Sequence, residues 1–258
     1  MELSQLPLLL FAFLAGFVDS VVGGGGLIQL PALLIFLPQY PIASVFGTNK
    51  LVSITGTSIA TIQYARKIKI PWKTVLITAG TAFCSSYLGA RVVSLINPQL
   101  LRPFIIIMLI GIAIYIFIKK DFGSVQEAAE IPNKPFWWGI VIGGVLGFYD
   151  GFFGPGAGSF MIFAFIILLG FNFLTASGSS KVVNFSTNLA ALLFFLFNGN
   201  VLFHIALPMI AFNMSGAFLG SRLALLRGNR FVRILFLVVV CGIISKLVWD
   251  TFGPMIHW

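Results

Sequence analysis

Long apolar runs alternate with short polar or Pro/Gly interruptions near residues 37–42, 65–73, 97–102, 119–135, 170–175, 198–204 and 227–233, which divides the chain into eight apolar blocks. A hydrocarbon core of about 30 Å takes roughly 20 helical residues, so most blocks predict membrane-crossing helices. The first block (about 8–37) and the fifth (about 136–170) each contain a glycine cluster: Gly23-Gly24-Gly25-Gly26 in one, Gly154-Pro155-Gly156-Ala157-Gly158 in the other. Neither can be one uninterrupted helix. The 11 residues from Leu27 to Leu37 predict a half-helix of about 16 Å, too short to cross.

Composition agrees with the pattern. Of 258 residues, 59% are apolar and 9% charged, with a mean hydropathy of +1.03, whereas a soluble globule carries about 25% charge. The chain has room for about eight to ten crossings and little else, which excludes a soluble catalytic domain. The formal charge of +9 resides in short loops, so it reads as topology and not as a nucleic-acid surface. Cys84 and Cys241 lie in separate apolar stretches without paired spacing and predict neither a disulfide framework nor a metal knuckle. Met1 to Pro7 carries Glu2 and no basic residue, unlike a cleavable signal peptide.

Sliding the chain on itself by 131 residues, without gaps, superposes Gly16-Phe17-x-Asp19 on Gly147-Phe148-x-Asp150. The same shift places Gly23 on Gly154, Gly25 on Gly156, Gly47 on Gly178 and Lys50 on Lys181. It also places Gly89-x-Arg91 on Gly220-x-Arg222, Arg102 on Arg233 and Gly111 on Gly242, and about a fifth of positions 16–115 are identical to their counterparts. Apolar matches mean little between membrane segments, but rare charged residues would not pair at one offset by chance, so an internal duplication is predicted. The expected architecture is an all-α polytopic membrane protein with two repeats, about 16–115 and 147–246. Each repeat opens on a glycine-broken helix hairpin. Residues 1–118 form the first transmembrane half, 119–135 a solvated cytoplasmic linker and 136–258 the second half.

Lys and Arg concentrate in loop 65–73 (Arg66, Lys67, Lys69, Lys73), in the linker (Lys119, Lys120, Lys134) and in loop 227–233 (Arg227, Arg230, Arg233). The positive-inside rule places all three in the cytoplasm. They share a side if each glycine-broken block returns to its own side as a hairpin, and an odd number of crossings then inverts one repeat relative to the other. Ten full crossings, with Leu3–Val22 and Ala157–Phe173 spanning, give the same parity.

A charge at the centre of a membrane helix costs at least about 2.5 kcal/mol, so Asp19, Lys50, Asp150 and Lys181 need a reason to be there. Each Asp precedes its glycine break by four residues, and each Lys follows in the next block, in Gly47-Thr48-Asn49-Lys50 and Gly178-Ser179-Ser180-Lys181. Half-helix N-termini bring free N–H groups and a positive dipole end to a midplane site, and glycine lets an oxyanion approach that backbone. The candidate substrate-binding set is therefore Lys50, Lys181, Gly24, Gly25, Gly26, Gly156, Gly158, Ser159, Asn49 and Ser180, with Asp19 and Asp150 as coupling or structural residues. The alternative is that Asp19 pairs with Lys50 and Asp150 with Lys181 merely to lock helices, the glycines serving close packing.

Arg91 and Arg222 read either as headgroup-snorkelling residues or, by their symmetry, as gates. His204 and His257 lie at predicted ends without a second imidazole at ligand spacing, so no metal and no cofactor is expected. Of the 28 Phe, most fill or coat the helices, and Trp72, Trp137, Trp138, Trp249 and Trp258 suit interfacial belts. Gly158-Ser159 with a distant His also admits an intramembrane serine hydrolase, which needs nucleophile and base in hydrogen-bond reach.

The segments Ala15-Gly-Phe-Val-Asp-Ser-Val-Val-Gly-Gly-Gly-Gly-Leu27, Thr48-Asn-Lys50 and Gly147-Phe-Tyr-Asp-Gly-Phe-Phe-Gly-Pro-Gly-Ala-Gly-Ser159 resemble the signature of the sulfite exporter TauE/SafE family of membrane permeases, over nearly the whole chain. The second motif, GFYDGFFGP, is most similar to an uncharacterised branch. The resemblance implies a multi-pass protein of the bacterial inner membrane that moves a sulfur oxyanion or an organosulfonate such as sulfite or sulfoacetate, commonly outward. A proton-coupled importer or exchanger of another small organic anion is the alternative. The expected partners are the small anion and the lipid bilayer, with no nucleic acid, in a monomer or weak homodimer.

Overall fold

The computed structural model describes residues 6–96 and 137–227. The predicted linker 119–135, the couples Arg102/Arg233 and Gly111/Gly242, and His257 lie outside the described residues.

Eight helices and no strands make up the described chain, in keeping with an all-helical polytopic membrane protein. The first four are α1 (Pro7–Val22), α2 (Gly26–Phe36), α3 (Ile42–Lys67) and α4 (Trp72–Leu95). After the undescribed stretch come α5 (Trp137–Phe152), α6 (Ala157–Leu169), α7 (Phe173–Phe197) and α8 (Phe203–Arg227). The helices α4, α7 and α8 are long and apolar enough to cross a bilayer. Helix α3 has 26 residues and is about 39 Å long. With 11 and 13 residues, α2 and α6 reach only about 16 and 20 Å.

Both predicted breaks are present, and their physical cause is backbone conformation. Gly23 (φ 78°) closes α1, and Gly154 (φ 96°) and Gly156 (φ 78°) separate α5 from α6, all in the left-handed region that side chains other than glycine's adopt at a cost. The chain doubles back at each break. Phe11 of α1 meets Phe36 of α2 at 6.0 Å between ring centroids, and Tyr149 of α5 meets Phe160 of α6 at 5.6 Å, so α1–α2 and α5–α6 are helical hairpins.

The hairpins pack on helices from the other end of the chain. Gly16 of α1 lies against the Asn213 backbone of α8, and Gly147 of α5 against the Ala82 backbone of α4. Gly220 of α8 lies against the Phe17 carbonyl, and Gly89 of α4 against the Phe148 carbonyl. Each contact has its counterpart 131 residues on, with the roles of the two halves exchanged. Helices α3 and α7 cross in the middle. Gly47 near the start of α3 meets Phe195 and Asn200 at the end of α7, while Gly178 near the start of α7 meets Tyr64 and Ile68 at the end of α3. These two helices, which superpose under the same shift, run antiparallel.

Candidate functional site

The two glycine breaks meet each other. A Cβ on Gly158 would stand 2.7 Å from the Gly23 Cα, and one on Gly26 3.1 Å from the Pro155 Cα, so the approach requires bare backbone. The Ser159 N–H donates to the Gly23 carbonyl at 3.2 Å and its hydroxyl to the Val22 carbonyl at 2.8 Å. Ser159 thereby staples one break to the other.

Around this junction lies a cavity of about 20 Å³, room for about one water. Its walls include Asp19, Asn49, Lys50 and Asp150 as well as the breaks at Gly23, Gly26, Gly154 and Gly158. Ser53, Asn184 and Asn188, polar residues within otherwise apolar stretches, complete it, and only the fold brings them to this point. The backbone N–H groups of Gly26 and Gly158 have no hydrogen-bond partner among the described residues. They supply the free helix-start donors that an anion site needs.

The buried lysines reach across the molecule. Lys50 Nζ donates to the Asp150 carbonyl at 2.7 Å and to its carboxylate at 2.8 Å. Lys181 Nζ donates to the Asp19 carbonyl and to its carboxylate at 3.2 Å. The helix-locking pairs Asp19–Lys50 and Asp150–Lys181 are thus not formed, and the partners are exchanged between halves. Each ammonium sits at the carbonyl-rich C-terminal end of the other half's broken helix, where dipole and carboxylate both favour a cation.

The two pairs differ. The Lys50 and Asp150 side chains are 2% and 3% exposed, and the Asp150 carboxylate also accepts from Asn184 at 3.1 Å and from the Thr187 hydroxyl. The Asp19 side chain is 20% exposed and accepts from Lys181 alone among the described residues. The positions aligned with Asn184 and Thr187 are Ser53 and Gly56, too short to reach Asp19 in the same way.

The remaining candidates Lys181, Gly24, Gly25, Gly156, Ser159 and Ser180 do not line the cavity. A Cβ on Gly25 would lie 2.6 Å from the Asp19 Cβ, so that glycine seats α2 beside the carboxylate, and the Ser180 hydroxyl turns back to the Ser177 carbonyl. Arg91 and Arg222 are exposed on α4 and α8, away from the cavity. His204 is exposed and contacts the Tyr40 hydroxyl at 3.3 Å, while the Ser159 hydroxyl is spent on Val22. Among the described residues no three His, Cys, Asp or Glu side chains cluster to hold a metal. Gln29 and Asn213, buried amides next to the site, went unmarked in the sequence; a lone Gln within the apolar stretch Gly26-Leu-Ile-Gln-Leu30 is the signal that could have found the first.

Comparison with known proteins follows the same lines. The model of the family described as sulfite exporter TauE/SafE matches residues 8–247. A probable membrane transporter protein, ORF9, of Sinorhizobium is 36% identical over 96% of this chain and 93% of its own. The probable membrane transporter YfcA of Escherichia coli K12 is 35% identical over 96% and 91%, and one from Haemophilus influenzae 33% over 92% of each. No solved structure matches. The chain therefore belongs to the TauE/SafE sulfite exporter family and is a membrane transporter.

Proposed function

We propose that the protein is a multi-pass permease of the bacterial inner membrane. Its substrate is a small anion of the sulfur oxyanion or organosulfonate class, moved outward through the cavity between two inverted halves. The observation that carries this reading is the meeting of two helix-breaking glycine turns, with free N–H groups at Gly26 and Gly158, beside a buried lysine. The antiparallel run of α3 and α7 supports the inverted arrangement, and the basic loop after α3 supports a cytoplasmic face there.

A cavity that holds about one water is too small for a sulfur oxyanion with four heavy atoms, so substrate entry requires the halves to part. The contacts that must yield are the exchanged pairs and the Gly23–Gly158 junction. Export needs no coupled ion, since an inside-negative potential drives an anion outward with about 2.3 kcal/mol per charge per 100 mV.

One observation favours a second reading. Asp19, Asp150, Lys50 and Lys181 sum to zero charge, and Asp19 is partly exposed with a single donor. A proton on Asp19 would leave the site positive for an incoming anion, as in a proton-coupled importer or exchanger. Electrogenic flux in proteoliposomes, with sulfite, sulfate, sulfoacetate, taurine and acetate at fixed voltage, separates the two. Selective current for sulfite or sulfoacetate, flat with pH, supports uniport. A current whose pH dependence vanishes in Asp19→Asn supports coupling, and a well-folded protein silent to the whole panel overturns both.

A further inference from the structure

We infer that Gln29 and Asn213, neither of which lines the cavity, are positioning residues that present the side-chain N–H pair of Asn49 to the substrate and so fit the site to a ligand rich in hydrogen-bond acceptors, an oxyanion. This rests on the transport reading above and adds to it the polarity of one wall.

The chain of amides has a fixed direction. Asn213 Nδ2 donates to the Ala12 backbone carbonyl at 3.1 Å, and since a carbonyl only accepts, the orientation of this amide is set independently of its other contacts. The same nitrogen donates to Gln29 Oε1 at 3.0 Å. Gln29 Nε2 is thereby left to donate onward, to Asn49 Oδ1 at 2.9 Å, to the Asn49 carbonyl at 3.3 Å and, at the longest distance, to the Ser53 hydroxyl at 3.5 Å. The bond to Oδ1 fixes which end of the Asn49 amide is the oxygen, and the other end offers Nδ2 with its two hydrogens. Asn49 is 4% exposed and lines the cavity, and that nitrogen donates to none of the described residues. It is not among the sealed, unpartnered side-chain atoms of the described residues, which are Thr61 Oγ1, Ser177 Oγ and Ser179 Oγ, so it keeps accessible surface through which an acceptor in the cavity can meet it.

Packing does not demand this network. Shifted by 131 residues, Gln29 becomes Phe160, Asn213 becomes Ala82 and Asn49 becomes Ser180. The symmetry-related positions thus hold apolar or short side chains, and this chain of three buried amides, which costs free energy unless fully paired, has no counterpart at the shifted positions. Close approach is provided for as well: a Cβ on Gly56 would lie 2.0 Å from Asn213 Oδ1, so only glycine leaves that amide its place. Gly26, with its free N–H, and Lys50 border the same cavity as Asn49, alongside Asp19 and Asp150.

The test is a double-mutant cycle on the full-length protein in proteoliposomes, with sulfite flux as the probe. Asn49→Ala and Gln29→Met should each raise KM about tenfold, as for a lost hydrogen bond to a charged ligand, with Vmax changed by less than about twofold. The double variant should be hardly worse than Asn49→Ala alone, because the shortest bond of Gln29 toward the cavity goes to Asn49 and the one to Ser53 is long. Should Gln29→Met reduce the yield of folded protein, Asn213→Leu breaks the relay one link further out, and its KM effect should likewise vanish in the Asn49→Ala background. Multiplying effects, about a hundredfold in the double variant, or a loss of Vmax at unchanged KM, overturn the relay while leaving transport standing. A wild-type protein that moves no oxyanion overturns the transport reading and the relay with it.

Discussion

Lys50 bonds both the carbonyl (2.7 Å) and the carboxylate (2.8 Å) of Asp150, a residue 100 positions away and on the opposite half of the molecule. The charges that sit nearest in sequence, Asp19 and Lys50, do not pair. Removing one partner of a buried pair leaves an uncompensated charge and typically costs about 3–5 kcal/mol. Lys50→Met and Asp150→Asn should each lower stability by an amount of that order, and the double variant should lose clearly less than the sum. Lys50→Met combined with Asp19→Asn should instead be close to additive. Thermal unfolding in detergent reads the cycle; coupling of Lys50 to Asp19 and not to Asp150 would refute the exchanged pairing.

The two aspartates should not be equivalent. Asp150 accepts from Lys50, Asn184 and Thr187, whereas Asp19 keeps Lys181 and stands partly open. Asp150→Asn should therefore destabilise the protein more than Asp19→Asn, by roughly 2 kcal/mol for the additional charge-assisted bonds. Equal losses in the two variants would show that the partners of Asp150 contribute little.

Glycine is required where backbone meets backbone. Gly158→Ala drives a Cβ to within 2.7 Å of the Gly23 Cα and should separate the hairpins, lowering both thermal stability and flux. Gly144→Ala, which meets nothing within 4 Å, should leave both unchanged. If Gly158→Ala behaves like Gly144→Ala, the backbones at Gly23 and Gly158 are not in close contact.

Much of the framework is written locally in the chain. The runs of four and five residues at Gly23 and Gly154 announce both breaks, and the half-helix read as Leu27–Leu37 forms as Gly26–Phe36. The 131-residue offset anticipates which contacts recur, as Gly16 with Asn213 and Gly147 with Ala82 illustrate. What local reading misses is partnership. Lys181 and Asp19 lie 162 residues apart, and nothing in the pattern of either segment says which carboxylate a lysine will find when both halves carry one. Gly24, Gly25 and Gly156 belong to the same turns as the cavity residues, yet a turn exposes only some of its atoms, and which ones depends on how the hairpins cross. Asn184 and Asn188 reach the cavity because α7 crosses α3 there, a tertiary fact.

Topology gives an independent check. Lys69 lies in the loop after α3, and residue 229 in the basic loop beyond α8; the positive-inside rule places both in the cytoplasm, while residue 200, in the loop between α7 and α8 without Lys or Arg, should face the other side. Reporter fusions at 69, 200 and 229 decide it, and positions 69 and 229 on opposite faces would undo the proposed inversion of the halves.

The most direct test of the central cationic site is electrogenic sulfite or sulfoacetate flux in proteoliposomes, comparing the wild-type protein with Lys50→Ala plus Lys181→Ala. A central cationic site requires selective anion current in the wild type and its loss, at least about tenfold, in a double variant that remains folded. Undiminished current in that variant would contradict it and reduce both lysines to residues that hold the two halves together.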